Sequence, residues 1–223
     1  MRRASYGFTL AELLLSLFIM GFLVFVALLC FNLTSNLMGE SLVRQSTENQ
    51  LRAVKALLER DFSLANGWYI DVLPRRGEEA RDALSLPTLA DWHDPTEFSL
   101  DTGLPAWNRY IVWYVNRAPS GVLVRQVVAP ERPELGYFNV PYEQLSTNLS
   151  ESDPLSNDNV VFSQVLSRSV KEFEVSAFPG ATFADVKLRF EATGARRGGG
   201  MDQVEDQVEV QLRFDINNTW PKL

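Results

Sequence analysis

Residues 2–31 of the chain read RRASYGFTLAELLLSLFIMGFLVFVALLCF, and this stretch decides how the rest of the chain can fold. Two arginines and a short leader precede an apolar run of 24 residues, from Phe8 to Phe31. A helix of that length is about 36 Å long, whereas the hydrocarbon core of a bilayer is about 30 Å thick. The run therefore predicts one membrane-spanning helix. Because Arg2 and Arg3 lie on its N-terminal side, the positive-inside rule places the N-terminus in the cytoplasm.

The run does not fit the other segments that direct export. A secretory signal peptide has an apolar core of about 7–15 residues followed by a small-x-small cleavage site. The residues after this run, Cys30-Phe31-Asn32-Leu33-Thr34, contain no such site. A lipoprotein signal requires a small residue before its cysteine, and here Leu29 precedes Cys30. Arg2-Arg3 suggests a twin-arginine signal, but the strongly apolar helix and the missing cleavage site argue against it.

Glu12 is the one charged residue between Arg3 and Glu40. At the centre of a membrane a carboxylate costs about 2.5–3.5 kcal/mol on insertion scales, and it costs less near the interface. One explanation is local, because Thr9-Leu10-Ala11-Glu12 matches the capping box, in which the glutamate accepts hydrogen bonds from free amides at a helix start. A second explanation is a role in assembly, and the two are compatible.

The string Gly7-Phe8-Thr9-Leu10-Ala11-Glu12-Leu13-Leu14 resembles the processing and methylation site of type IV prepilins and type II secretion pseudopilins. The resemblance implies that a membrane-embedded prepilin peptidase cuts after Gly7 and methylates the new N-terminal residue, Phe8. It also implies that Glu12 pairs with the N-terminal amine of a neighbouring subunit. The match is specific because a basic leader, the glycine, the phenylalanine and the glutamate stand at fixed spacing before a long apolar run. It extends only to Phe31.

Simple electrostatics agrees with the implied role of Glu12. A cut after Gly7 frees a positively charged amine at Phe8 in a poorly hydrated place. A carboxylate from another subunit neutralises this charge, and in a low dielectric a wrong register leaves both charges unpaired. Methylation keeps the charge and makes the amine more apolar. Glu12 is therefore interpreted as a residue that sets the register of assembly.

After Phe31 the helix is predicted to continue as an amphipathic stem over residues 32–66. No proline precedes Pro74, and Asn66-Gly67 is a typical helix stop. Apolar residues recur at spacings of three and four, which predicts a face packed on the following domain: Leu51, Val54, Leu58, Phe62 and Ala65. The residues between them suit a solvated face: Glu48, Arg52, Lys55, Glu59 and Asp61.

Residues 67–223 are predicted to form an exported, β-rich globular domain. The fold class is thus α+β, with a long N-terminal α-helix packed on an antiparallel β-sheet. Strands are predicted where β-branched and aromatic residues cluster or alternate with polar ones: Trp68–Leu73, Arg109–Asn116, Val122–Val128, Asn159–Val165, Val170–Phe178, Phe183–Glu191 and Asp206–Ile216. Pro74–Asn108 and Ala129–Asp158 are predicted to be irregular, and Thr193–Asp202 to be a mobile hairpin tip.

Composition limits the chemistry of the domain. One cysteine, Cys30, and one histidine, His93, exclude an internal disulfide, a Cys-based zinc site and a two-histidine metal site. The net charge of −7 argues against nucleic-acid binding. Gly198-Gly199-Gly200 lacks the Lys-Ser/Thr of a phosphate loop and reads as a flexible turn.

Two sets of loop residues are interpreted as structural. Acidic residues without EF-hand spacing are interpreted as solvated charge and not as calcium ligands: Asp91, Asp94, Asp101, Glu151, Asp153 and Asp158. Large aromatic residues are interpreted as packing: Trp92, Trp107, Trp113 and Phe138. Partner specificity is expected in the two long irregular stretches.

These features together predict a minor pilin or pseudopilin with no catalytic activity, cofactor or metal. The predicted segments are a leader (1–7), a membrane helix (8–31), a stem (32–66) and the exported domain (67–223). The size, the Leu57–Phe62 region and the Val122–Arg125 hairpin resemble the larger minor subunits, namely the J-type pseudopilin and the W-type minor pilin. The expected partners are prepilin peptidase, other subunits and the inner membrane. An uncleaved, membrane-anchored enzyme or ligand-binding domain is the alternative.

Overall fold

The computed structural model describes residues 9–75, 77, 79–101, 103, 105–116, 121–129, 160–178, 180–195 and 203–216. Within these ranges one long α-helix precedes eight strands, which form two antiparallel sheets. The α+β class predicted from the sequence is confirmed.

Helix α1 runs from Leu10 to Leu64. Its 55 residues correspond to about 82 Å at ~1.5 Å per residue. It ends because Ala65 adopts an extended backbone, with φ −74° and ψ 157°. The side chain of Asn66 then accepts a hydrogen bond from the Trp68 amide at 2.9 Å and starts a short 3-10 turn over Gly67–Tyr69. The predicted stop residue thus caps the turn that follows the helix.

The first half of α1 makes no core contact with the rest of the chain. Leu10–Ser35 is 26 residues long and apolar enough to cross a membrane, and none of it is buried. Among the described residues this is the one helix that meets those criteria. Leu10 and Phe18 are 80% and 74% exposed. Because exposed apolar surface costs about 25 cal/mol per Å² in water, this half requires an apolar environment or a protein partner.

The second half of α1 packs into the core of the β domain. Val54, Leu58, Phe62 and Ala65 are fully buried, and Leu51 packs against them, as the apolar spacing predicts. The Phe62 ring stacks on Phe214 with centroids 5.1 Å apart. One hydrophobic cluster contains these helix residues together with residues from both sheets.

Five strands form the first sheet, in the order β1-β2-β3-β4-β5. The hairpin predicted between residues 109–116 and 122–128 is confirmed, with Trp113 opposite Arg125. The middle of β3 is buried on both sides, which explains its nearly continuous apolar sequence, and burial raises the pKa of Tyr110. The strands are β1 (Asp71–Leu73), β2 (Ala83–Thr88), β3 (Arg109–Val115), β4 (Leu123–Val128) and β5 (Val160–Ser167).

Strand β2 lies inside a stretch that was predicted to be irregular, and that prediction is wrong. All six residues of β2 are buried, and Pro87 pairs with Tyr110 of β3. Proline argues against a central strand because it lacks an amide donor. Here β1 begins with Asp71 opposite Ser85 and runs away from Pro87, so no residue of β1 lies beside Pro87. The predicted strand Trp68–Leu73 is also partly wrong, because its first residues form the 3-10 turn and only Asp71–Leu73 pairs as a strand.

Three strands form the second sheet, in the order β6-β7-β8. Val186, Leu188 and Phe190 of the strand Phe183–Ala195 are buried in the core, as their alternation with polar residues predicts, and Ala184 is buried with them. The antiparallel pairing of the last two strands is longer than predicted. Thr193, which was assigned to the hairpin tip, pairs with Glu205. Residues 196–202 lie outside the described residues. The strands are β6 (Val170–Ser176), β7 (Phe183–Ala195) and β8 (Gln203–Asp215).

The outer face of the second sheet carries cross-strand ion pairs. Arg213 donates two hydrogen bonds to the Asp185 carboxylate at 2.8 and 2.9 Å, and these lower the pKa of Asp185. Lys187 lies 3.5 Å from Glu172 and 3.4 Å from Glu209. Pairs at a sheet surface contribute little stability individually, and although Glu172 and Asp185 are half-buried, these pairs mark the solvent side of the sheet more than they stabilise it.

Asp61 was predicted to lie on the solvated face of the stem, and this is wrong. Its side chain is 1% exposed. It accepts hydrogen bonds from Arg125 Nε at 2.7 Å, Arg125 Nη2 at 2.8 Å and Trp113 Nε1 at 2.9 Å. Burial of this charge is tolerated because a cation and an indole donor neutralise and solvate it. The three bonds fasten the helix to β3 and β4.

We expect Asp61→Asn to lower the free energy of unfolding by about 3–5 kcal/mol, because it leaves the Arg125 guanidinium uncompensated. The measurement is urea unfolding of the full chain in detergent micelles, followed by tryptophan fluorescence. Glu48→Gln is the matched control, since Glu48 makes only exposed pairs with Arg44 and Arg52 and should change stability by less than about 1 kcal/mol. Equal effects of the two substitutions would contradict a special role of Asp61.

Gly121→Ala and Gly103→Ala form a second matched pair. Both glycines have left-handed backbones, with φ of 65° and 66°, so each substitution should cost about 1–2 kcal/mol from backbone strain. A Cβ on Gly121 would also lie 1.7 Å from the Val170 carbonyl oxygen, whereas one on Gly103 would meet nothing within 4 Å. We expect Gly121→Ala to lower the urea midpoint clearly more than Gly103→Ala. Indistinguishable midpoints would show that the backbone at Val170 moves away from the added Cβ at little cost in free energy.

Candidate site at the start of the apolar helix

Thr9 and Glu12 form a complete capping box at the N-terminus of α1. Thr9 has an extended backbone, and its Oγ1 accepts a hydrogen bond from the Glu12 amide at 3.3 Å. Glu12 Oε2 accepts from the Thr9 amide and from Thr9 Oγ1, both at 2.9 Å. The capping explanation for Glu12 is therefore confirmed. A carboxylate in the first turn also interacts favourably with the helix dipole.

The capping box does not use the whole carboxylate. All three bonds that define the box involve Oε2, Thr9 Oγ1 or backbone amides. Glu12 Oε1 makes no hydrogen bond to any residue within the described ranges, and the side chain is exposed. The observed capping box therefore does not require Oε1.

The predicted processing residues stand directly before this box in the sequence. Gly7 and Phe8 lie outside the described residues. Thr9 is the helix cap, and the first helical residue is Leu10. Two residues, Phe8 and Thr9, therefore separate the Gly7–Phe8 peptide bond from the first helical residue in the sequence.

Other polar side chains of the apolar half bond within the helix. Ser16 Oγ donates to the Leu13 carbonyl and Thr34 Oγ1 donates to the Cys30 carbonyl, each at 2.8 Å. Such bonds remove the cost of placing a hydroxyl in an apolar medium. Neither hydroxyl belongs to the motif around Glu12, and hydroxyls on a helix routinely reach the carbonyl three or four positions earlier. Glu12 remains the one charged group of Leu10–Ser35.

No protein-family model, no curated protein and no solved structure matches the chain. Its function is therefore inferred from its own residues and their geometry. The remaining candidate residues lie in the loops of the β domain.

The loop carboxylates that the structure describes mainly shape their own loop. Asp91 accepts from the backbone amide of His93 at 2.8 Å, and His93 is exposed. Asp94 caps a 3-10 turn over Pro95–Glu97, and the Thr96 hydroxyl, at 2.7 Å, lowers the pKa of Asp94. In the described part of the chain no three His, Cys, Asp or Glu side chains are grouped as metal ligands. Three acidic residues of the earlier set lie outside it: Glu151, Asp153 and Asp158.

The aromatic residues of the first long loop pack on one another. Trp92 meets Trp107 edge-on with centroids 5.9 Å apart, and it meets Phe98 at 6.4 Å. Trp113 is fully buried in the core. The packing interpretation is confirmed for these tryptophans. Phe138 and the triple glycine at 198–200 lie outside the described residues.

Sequence reasoning missed a second buried carboxylate, Asp82. It is 0% exposed and accepts from the backbone amides of Arg75 and Val175, both at 3.0 Å. It thereby joins the residues before β2 to β6 of the other sheet. A lone aspartate in an irregular-looking stretch carries no periodic signal that could have revealed this role.

We expect Thr9→Ala to weaken the start of α1 by about 1 kcal/mol, because the Glu12 amide and the Glu12 carboxylate both lose their hydroxyl partner. The measurement is hydrogen exchange of the full chain in micelles, where the Glu12 amide should exchange about fivefold faster. Thr34→Ala is the control, since its hydroxyl bonds a carbonyl inside the helix and caps nothing. Unchanged protection at Glu12 in Thr9→Ala would contradict the cap.

Proposed function

We propose that this protein is a minor pilin or pseudopilin, cut after Gly7, methylated at Phe8 and assembled through α1 into a type IV pilus or a type II secretion pseudopilus. The observation that carries the proposal is the position of Glu12. It is the single charge of the apolar segment, it lies in the first helical turn, and one of its oxygens has no partner among the described residues. The prepilin-like string around it supplies the complementary cation.

The chemistry of assembly follows from the two oxygens of Glu12. Cleavage after Gly7 creates a protonated amine at Phe8. In the proposed contact, the Phe8 amine of a neighbouring subunit binds Glu12 Oε1 while Thr9 keeps Oε2. A neighbour displaced along the helix leaves an ammonium and a carboxylate unpaired in an apolar medium, at a cost of several kcal/mol for each ion. The contact therefore selects a register more than it adds stability.

In this proposal the exposed apolar surface of Leu10–Ser35 contacts two environments in succession, first lipid and then other subunits. Before assembly its side chains face lipid, and after assembly they pack on the apolar helices of other subunits. Helix association within a bilayer gains little from hydrophobicity, because lipid tails are as apolar as the side chains. Packing contacts and the Glu12–amine pair therefore have to favour the assembled state. This consideration supports a specific polar contact at the end of the helix.

The joint between helix and domain supports a mechanical role. The second half of α1 is buried in the core, and Asp61 is bound to Arg125 and Trp113. A subunit that is pulled or lifted through its helix carries the β domain with it. The proposed activity requires no catalytic group.

The basic leader and the charge of the chain define the proposed setting. Arg2 and Arg3 precede the apolar segment, so the protein is proposed to insert in the inner membrane with residues after Phe31 on the extracytoplasmic side. Its proposed partners are prepilin peptidase and other pilin or pseudopilin subunits. The length of the exported domain fits the larger minor subunits, the J-type pseudopilin and the W-type minor pilin.

We expect the protein isolated from its native membrane to begin at Phe8 and to carry one added methyl group on the Phe8 nitrogen. Intact mass and N-terminal peptide mass spectrometry measure both properties. Cells lacking prepilin peptidase provide the control, in which the chain should begin upstream of Phe8. A wild-type chain that retains Gly7 would refute processing and would favour the uncleaved, membrane-anchored domain.

We expect Glu12→Gln to insert in the membrane and to be processed, but to lose most of its incorporation into filaments. Glutamine retains a carbonyl oxygen that can accept from the Thr9 amide, so this variant removes the charge and leaves the cap in place. Co-purification with sheared filaments measures incorporation, and Glu48→Gln in the stem is the matched charge control. Normal incorporation of Glu12→Gln together with loss in Glu12→Ala would assign the effect to capping.

A further inference from the structure

We draw no further inference here: the strongest candidate, the uncharged edge strand β5 with its exposed Val161, Phe162 and Val165, carries nothing because the structure does not show what covers it.

Discussion

The unbroken backbone hydrogen bonding of α1, from Leu10 to Leu64, is the constraint on which the rest of the structure depends. A helix satisfies its own amides and carbonyls in any solvent, so one element can pass from an apolar medium into a protein core without a change of conformation. What changes along it is the side-chain pattern. Leu10–Ser35 is predominantly apolar and carries Glu12 as its one charge, whereas the second half buries one stripe, from Val54 to Ala65.

The β domain is built around that stripe. Both sheets contribute to the same hydrophobic cluster as Leu58 and Phe62, so each sheet is incomplete without the helix. Buried carboxylates secure the places where elements meet. Asp61 joins the helix to the first sheet, and Asp82 joins the chain before β2 to β6. Each is satisfied by donors from other elements, which makes the arrangement specific as well as stable.

The sequence predicted those parts that repeat a pattern. The spacing from Leu51 to Ala65 predicted the buried face of the stem, and alternation in β7 predicted its buried side. Strand β2 was not predicted because a proline argues against a central strand. Pro87 is compatible with the sheet because it lies beyond the first residue of β1, Asp71, which pairs with Ser85. The burial of Asp61 was not predicted because a carboxylate between the apolar positions of a helix is typical of a solvated face. Its partners, Trp113 and Arg125, lie on strands more than fifty residues away in sequence.

The candidate site was more predictable than the core because its residues are local. Thr9 and Glu12 are three positions apart, so their contact depends only on the helix beginning where it does. The absence of a hydrogen bond from Oε1 to any described residue could not be anticipated, since a capping box is compatible with either oxygen or both. The proposed cleavage after Gly7 and methylation of Phe8 would depend on an enzyme, and no property of the folded chain by itself predicts them.

The hydrogen bonds of Asp61 to Trp113 and Arg125 also fix the rotation of the β domain about the axis of α1. These hydrogen bonds come from two adjacent strands, and two of them come from Nε and Nη2 along one edge of the planar Arg125 guanidinium, so the domain cannot turn about the axis of α1 without breaking them. The rotation of the apolar half of α1 about its axis therefore determines the direction in which the β domain faces. In any helical array built on α1, the choice of neighbours along the axis would determine which surface of the domain is turned outward.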